Sequence, residues 1–244
     1  MGKLLIVTAV LNAENTINET LKSTKKLCQK NSNIVHLIKD GLSSDRTLQI
    51  VKKYPHAKLV SIKDKGIFDA FNYGASFMSW DFIYYLNADD ILTKIGSERL
   101  DWISHHGNKK CVYCYSVVVV KKKEKKIYYN SKKISIFNIL TGYMPPHPGL
   151  VTGKDAFIQF DAKLRISADY KFFLEILYKK KNKFYYSKDI IAEMKEGGNS
   201  QTFKGRIMSF KEDAEILSIF YGKYIGYIVA TLKKIRGFIR WYLV

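Results

Sequence analysis

The sequence predicts an α/β protein whose core is a mostly parallel sheet flanked by helices, with a helical extension at the C-terminus. Three observations carry that prediction. In the first half, short continuous apolar runs alternate with stretches of helical periodicity, the pattern of βαβ units. Polar residues follow each run: Asn12, Asp40, Asp64 and the cluster Asn87-Ala88-Asp89-Asp90. The 244 residues, 47% hydrophobic and 14% aromatic, suffice to bury one sizeable core.

Leu4–Leu11 is a continuous β-branched and leucine run, as expected of a strand buried on both faces. Asn12–Gln29 follows as a helix with Ile17, Leu21 and Leu27 on its apolar side. Ile34–Ile38 reads as the second strand and runs into Asp40-Gly41-Leu42-Ser43-Ser44-Asp45, a turn rich in helix-capping side chains. Thr47–Tyr54 is a helix stopped by Pro55. Ala57–Ile62 is the third strand, Ile67–Ser79 the next helix and Asp81–Leu86 the fourth strand. Ligands of such sheets bind beyond the carboxyl ends of the strands. The residues just after those ends are therefore the candidate site. Adjacent carboxylates at the end of a buried strand are costly unless a cation sits beside them.

The second half is less regular. Cys111–Val120 is a long β run, and Lys121–Lys126 then Ile127–Tyr129 complete a hairpin with a charged, solvated tip. Met144-Pro145-Pro146-His147-Pro148-Gly149 is a stiff loop. Ala168–Tyr178 is a helix opened by Ser167 and Asp169, and Gly197-Gly198-Asn199-Ser200 is a flexible loop. From Asp213 onward the pattern is one continuous helix. Leu217, Phe220, Tyr224, Ile228, Ile235, Phe238 and Tyr242 share a face, opposite Lys223, Lys233, Lys234, Arg236 and Arg240. Such a helix either lies in an anionic membrane interface or packs on the domain; the wide apolar face and nearly unbroken basic stripe favour the membrane. The chain accordingly divides into a domain, 1–205, and a basic amphipathic segment, 206–244.

The net charge of +19 implies a polyanionic partner, or else lysine-rich solvated faces. Three cysteines are present, and Cys111 and Cys114 lack the second pair a zinc site needs. Reduced, intracellular thiols are expected. The N-terminal apolar run is too short for a signal peptide and meets Asn12 and Glu14 at once. Ile6 breaks the myristoylation pattern that would begin at Gly2. No segment reaches the roughly 18 apolar residues of a membrane span.

Six blocks, in order, carry a resemblance. Thr8-Ala9-Val10-Leu11-Asn12-Ala13-Glu14 looks like an opening strand with its Asn turn. Asp40-Gly41-Leu42-Ser43-Ser44-Asp45-Arg46-Thr47 is similar to Asp-Gly-x-Ser-x-Asp-x-Thr. Asp64-Lys65-Gly66-Ile67-Phe68-Asp69-Ala70-Phe71-Asn72-Tyr73-Gly74 matches Asp-x-Gly-Ile-Tyr-Asp-Ala-Met-Asn-x-Gly. Asn87-Ala88-Asp89-Asp90 looks like an Asp-x-Asp-type metal motif. Ser167-Ala168-Asp169-Tyr170 and Gly197-Gly198-Asn199-Ser200 match two later blocks. The chain thus resembles the family 2 glycosyltransferases, inverting nucleotide-sugar-dependent enzymes of bacterial polysaccharide synthesis, in the subgroup serving O-antigen, lipopolysaccharide and capsule.

The resemblance implies a GT-A fold with a Rossmann-like sheet and a hexosyl transfer from a nucleotide-diphosphate sugar, by family habit a UDP-sugar, to a lipid-linked saccharide. It implies a Mn²⁺ or Mg²⁺ ion held by Asp89, with Asn87 replacing the commoner first Asp. Thr8, Ala9, Leu11, Asn12, Asp40, Asp64, Lys65, Gly66, Asp69, Asn72, Asn87 and Ala88 would line the donor pocket, Asp40 at the base edge. Leu11 stands where many relatives carry an aromatic, which weakens stacking. Asp69 is equally readable as a helix-start cap. Asp169 would be the base that deprotonates the acceptor hydroxyl, or alternatively a first-turn carboxylate placed for the helix dipole. His147 and Asp90 are acceptor or loop residues; Pro148 follows His147 where relatives have Gln. The enzyme would work at the inner face of the cell membrane.

Other classes compete. A nucleic-acid-binding module is permitted by the charge, yet no recognition motif appears. A nucleotidyltransferase would need a Gly-rich phosphate loop after the first strand, which is absent. An inactive scaffolding relative is the remaining alternative. The sugar, linkage, acceptor and oligomeric state are not readable in the sequence.

Overall fold

The computed structural model describes residues 1–121, 126–133, 143–179, 182–195 and 202–242. In chain order the elements are β1 (Leu4–Val10), α1 (Ile17–Lys30), β2 (Ile34–Asp40), α2 (Thr47–Val51), β3 (Ala57–Ser61), α3 (Ile67–Ser76), β4 (Phe82–Tyr85), β5 (Ile91–Leu92), α4 (Lys94–His106), β6 (Cys111–Val120) and β7 (Lys126–Tyr129). There follow β8 (Leu150–Gly153), α5 (Ala168–Lys179), β9 (Lys183–Lys195), α6 (Phe203–Tyr221) and α7 (Lys223–Tyr242). Among the described residues the strands form one sheet in the order β3-β2-β1-β4-β8-β6-β9-β5, with β7 added on β6.

The first half is the parallel unit its pattern requires: β2 and β4 flank β1 in parallel, and β3 lies parallel outside β2. Strand β1 is buried on both faces, which is why its run shows no polar alternation. Leu4 and Ile6 enter one core with Tyr84, Leu100 and Ile103. Leu5 and Val7 enter the other with Phe71, Ile83 and Phe172. Burying each such aliphatic side chain contributes about 1.5–3 kcal/mol relative to exposure.

Beyond β4 the sheet becomes mixed. Strand β8 runs antiparallel to both β4 and β6, with Tyr84 opposite Val151. A strand antiparallel to β4 begins where β4 ends. The 144–149 loop that feeds β8 is therefore delivered to the carboxyl edge of the parallel strands, and the Tyr84 hydroxyl pins it by donating to Pro148 O at 2.9 Å.

Several expected helices are shorter. Helix α1 starts at Ile17, not Asn12, because Asn12 adopts φ 52 and binds the 43–44 turn. Helices α2 and α3 stop at Val51 and Ser76 rather than Tyr54 and Ser79. The β6–β7 hairpin is present, while its charged tip at 122–125 and the Gly197–Ser200 loop lie outside the described residues.

The C-terminal region departs most. The continuous helix expected from Asp213 is two helices, broken at Gly222, whose φ of 82 is open to glycine and strained for other residues. The helical-wheel face spanning both is consequently split. Leu217 is buried with Val229, Ala230, Tyr170 and Leu174. Tyr224, Ile228 and Ile235 point outward, 85%, 60% and 52% exposed. Lys233 and Lys234, expected on a solvent stripe, turn inward to Asp213 at 3.0 and 3.7 Å. The side chains of Arg236, Phe238, Arg240 and Tyr242 lie outside the described residues. No helix among the described residues is long and apolar enough to cross a membrane.

Candidate active site

The ends of β1 and β2 are locked by their own side chains. Asp40 is fully buried, and its carboxylate accepts from Leu42 N at 3.0 Å, Ser43 N at 3.1 Å, Ser61 Oγ at 2.6 Å and also from Ser43 Oγ. Asn12 closes the same turn: its N–H donates to Ser43 Oγ at 2.9 Å and its Oδ1 accepts from Ser44 N at 2.9 Å. Leu11 stands 61% exposed at the rim, and Ala88 packs partly against the Val10–Ile17–Ile38 cluster.

Two of the expected donor-pocket residues use their side chains in contacts within the fold. Thr8 is fully buried and its hydroxyl meets His36 Nε2 at 2.9 Å, so its side chain belongs to the core beneath the sheet. Asn72 clamps the Phe160 backbone on both sides, donating to Phe160 O at 2.8 Å and accepting from Phe160 N at 2.9 Å. Its amide latches α3 to the 157–163 segment, and Ala9 packs into the core of that face.

The end of β3 is organised by Lys39, which the sequence reading passed over. Its Nζ, 1% exposed, reaches Asp64 Oδ2 at 2.8 Å, Ile62 O at 2.6 Å and Asp40 O at 3.0 Å. A lysine directly continuing the mostly apolar strand run Ile34–Ile38 was the available signal, since lysine is almost never fully buried unless paired. Asp64 Oδ1 accepts from Gly66 N at 3.1 Å, and Asp69 reaches back to Lys65 N at 2.9 Å. Asp69 thus closes the turn that leads into α3. Gly66, at φ 138, lets the loop turn into that helix, and Lys65 is exposed beside it.

At the end of β4, Asn87, Asp90, His147 and Asp169 form one polar chain. Asn87 Nδ2 donates to Asp90 Oδ2 at 2.9 Å, its Oδ1 lies 3.0 Å from His147 Nε2, and His147 Nδ1 lies 3.7 Å from Asp169 Oδ2. With the Asn87 amide nitrogen facing Asp90, His147 Nε2 carries the hydrogen and Nδ1 faces the carboxylate. Phe71 supports the imidazole edge-on at 5.8 Å. Burial and the neighbouring Asp89 push Asp90 up to about 7, with the Asn87 hydrogen bond and His147 opposing. Asp169 sits in the first turn of α5, its Oδ1 accepting from Tyr170 N at 2.8 Å.

Asp89 is half-buried and its carboxylate has no hydrogen-bond or ion-pair partner among the described residues. No group of three or more His, Cys, Asp or Glu among those residues is arranged to hold a metal by itself. That donor set fits a hard divalent ion that takes one protein carboxylate and fills its shell with phosphate oxygens and water, and does not fit an all-protein cage. The cysteines are free, with Cys111 and Cys114 buried in β6.

A parallel unit closed by an antiparallel β8, with carboxylates gathered at one strand edge, is the GT-A architecture of glycosyltransferases. The match to the family model extends over residues 5–163, and the chain belongs to glycosyl transferase family 2. No curated protein matches it. Among solved structures, S. aureus TarS 1-349 in complex with UDP-GlcNAc is 17% identical with TM-score 0.67, covering 97% of this chain and 72% of that one. The mannosyltransferase PcManGT from Pyrobaculum calidifontis, in complex with GDP-Man and Mn²⁺, is 13% identical with TM-score 0.64, covering 97% and 71%. These likenesses extend the shared fold past residue 163.

Proposed function

We propose that this glycosyltransferase moves a sugar from a nucleotide-diphosphate donor, a UDP-sugar, to a hydroxyl of a lipid-linked saccharide, with inversion. The observation that carries the reading is the polar chain from Asn87 through His147 to Asp169. It joins the expected diphosphate corner to the expected base, although their positions are far apart in sequence. TarS 1-349 with UDP-GlcNAc and PcManGT with GDP-Man support the donor class.

Asp169 accepts the proton of the acceptor hydroxyl while that oxygen attacks the anomeric carbon; the bond from that carbon to the β-phosphate oxygen breaks, and the nucleoside diphosphate leaves with the electron pair. His147 stands between Asn87 and Asp169, with its Nε2–H anchored on Asn87 and its ring beside the Asp169 carboxylate. Asp40 meets the nucleobase by exchanging one of its four internal donors, and the 41–43 and 64–66 loops supply backbone contacts. Asp89 would hold a Mn²⁺ or Mg²⁺ ion, which as a Lewis acid would neutralise the leaving diphosphate.

The exposed row Tyr224, Ile225, Ile228, Leu232 and Ile235 on α7, with the +19 charge, supports residence at an anionic membrane on the cytoplasmic side, where a lipid-linked acceptor is presented. We take residues 1–205 as the catalytic domain and 206–244 as the membrane-facing segment. A thermal-shift series with UDP, GDP and dTDP, each with and without Mn²⁺, tests the donor site. A rise with UDP that grows with Mn²⁺ is expected; no response to any nucleotide refutes the reading.

A further inference from the structure

We propose that Glu212 on α6 is a positioning residue for the base, so that the C-terminal helices are part of the catalytic apparatus as well as a surface for the membrane. The inference rests on Asp169 being that base. Glu212 is 9% exposed, and its carboxylate faces the backbone of the segment that leads into α5. Its Oε1 accepts from Arg165 N at 2.8 Å, and its Oε2 accepts from Ile166 N at 3.0 Å and Ser167 N at 2.8 Å. Three consecutive amides are thus gathered on one side chain from a helix 45 residues further along the chain.

Ser167 immediately precedes α5, and its carbonyl accepts the Lys171 N–H at 3.1 Å. Asp169 lies between those two residues. The direction of the first turn of α5, and with it the 3.7 Å approach of Asp169 to His147, follows from how residues 165–167 are held. The next residue of α6 reaches the same turn through α7. Asp213, fully buried, pairs with Lys233 of α7, whose Nζ lies 3.4 Å from the ring centroid of Tyr170, the neighbour of Asp169. Lys234 adds an ion pair to Asp213 and donates to Ser209 at 2.8 Å. The two buried charges of α6, Glu212 and Asp213, thus both bear on 165–170, although a solvated helix face would be the ordinary place for them.

The test reads UDP release from UDP-GlcNAc, UDP-glucose and UDP-galactose with Mn²⁺, together with UDP binding, for the wild type, Glu212→Ala, Glu212→Gln, Asp169→Asn and the double variant Asp169→Asn/Glu212→Ala. Misplacing a reacting group by about 1 Å costs on the order of 100-fold. Glu212→Ala should lower kcat by about that factor, with donor KM and UDP affinity unchanged within about twofold. Glu212→Gln, which keeps one acceptor oxygen, should recover part of the loss. The double variant should be no slower than Asp169→Asn alone, because Glu212 acts through Asp169.

A Glu212→Ala enzyme with wild-type kcat, a double variant slower than Asp169→Asn by the full single-variant factor, or a loss of UDP binding in both Glu212 variants overturns the proposal and leaves the assignment of Asp169 standing. Asp169→Asn turning over like the wild type, or no release by the wild type from any of the three donors, removes the reading underneath it and the proposal with it.

Discussion

Replacing Lys39 by Met removes the cation at the centre of the loops after β2 and β3 while keeping the length of the side chain. Three acceptors lose their donor: Asp64 Oδ2 at 2.8 Å, Ile62 O at 2.6 Å and Asp40 O at 3.0 Å. Asp64 is 14% exposed, so water reaches it poorly, and only Gly66 N remains on its other oxygen. Breaking a buried pair by removing one partner costs about 3–5 kcal/mol, because the remaining charge stays buried. For a chain of this size each kcal/mol moves the melting temperature by about 2–4 °C, so Lys39→Met should melt about 10 °C lower. Adding Asp64→Asn removes the stranded charge, and the double variant should recover more than half of that loss. Scanning calorimetry at neutral pH measures both. A Lys39→Met protein melting within about 2 °C of the wild type, or a double variant no better than the single one, would refute the argument that this pair is a buried, mutually dependent unit.

Further predictions concern the proposed base, the 64–66 loop and the buried histidine. Asp169→Asn should retain UDP binding and lose transfer by about 10²–10⁴-fold in kcat, read as UDP release; near wild-type release would take the base role from it. Gly66→Ala meets open space but an unfavourable φ of 138, so it should destabilise by about 1–3 kcal/mol in chemical denaturation with no packing change elsewhere. His36 is fully buried, and burial, with His56 nearby, lowers it from 6.5 to about 3. Between those values the unfolded chain binds a proton that the folded chain refuses, so stability is lost as pH falls from about 6.5 toward 3, by about 5 kcal/mol over the whole interval. His36→Gln should flatten that part of the stability–pH curve; an unchanged slope would assign the acid sensitivity elsewhere.

The parallel half was legible because its physics is local. A strand buried on both faces must be apolar nearly throughout, as Leu4–Val10 is apart from Thr8, and a turn at its end needs residues such as Asn12, Asp40 and Gly66 that cap or bend the backbone. Beyond β4 the β6–β7 hairpin was legible as well, but the strands around it were not. Strand β9 mixes lysines, aromatics, acids and aliphatics without regular apolar–polar alternation, β5 is two residues long, and β8 is a short piece after a proline-rich loop, so none carries a periodic signal of its own. The helical wheel misplaced Lys233 because it assumed one axis through Gly222.

By itself the sequence determined the α/β class, the strand ends that carry polar groups, and the identity of Asp89 and Asp169 as site candidates, since these depend on residue type and near neighbours in the chain. The tertiary structure alone decided which of those side chains work together. It turned Thr8 and Asn72 into structural contacts, buried Lys39 against Asp64, and brought His147 between Asn87 and Asp169. It also placed Glu212 on the amides before α5. Each of these pairings joins residues more than twenty positions apart, and such distances are set by strand order and by the direction of β8, which no local pattern encodes.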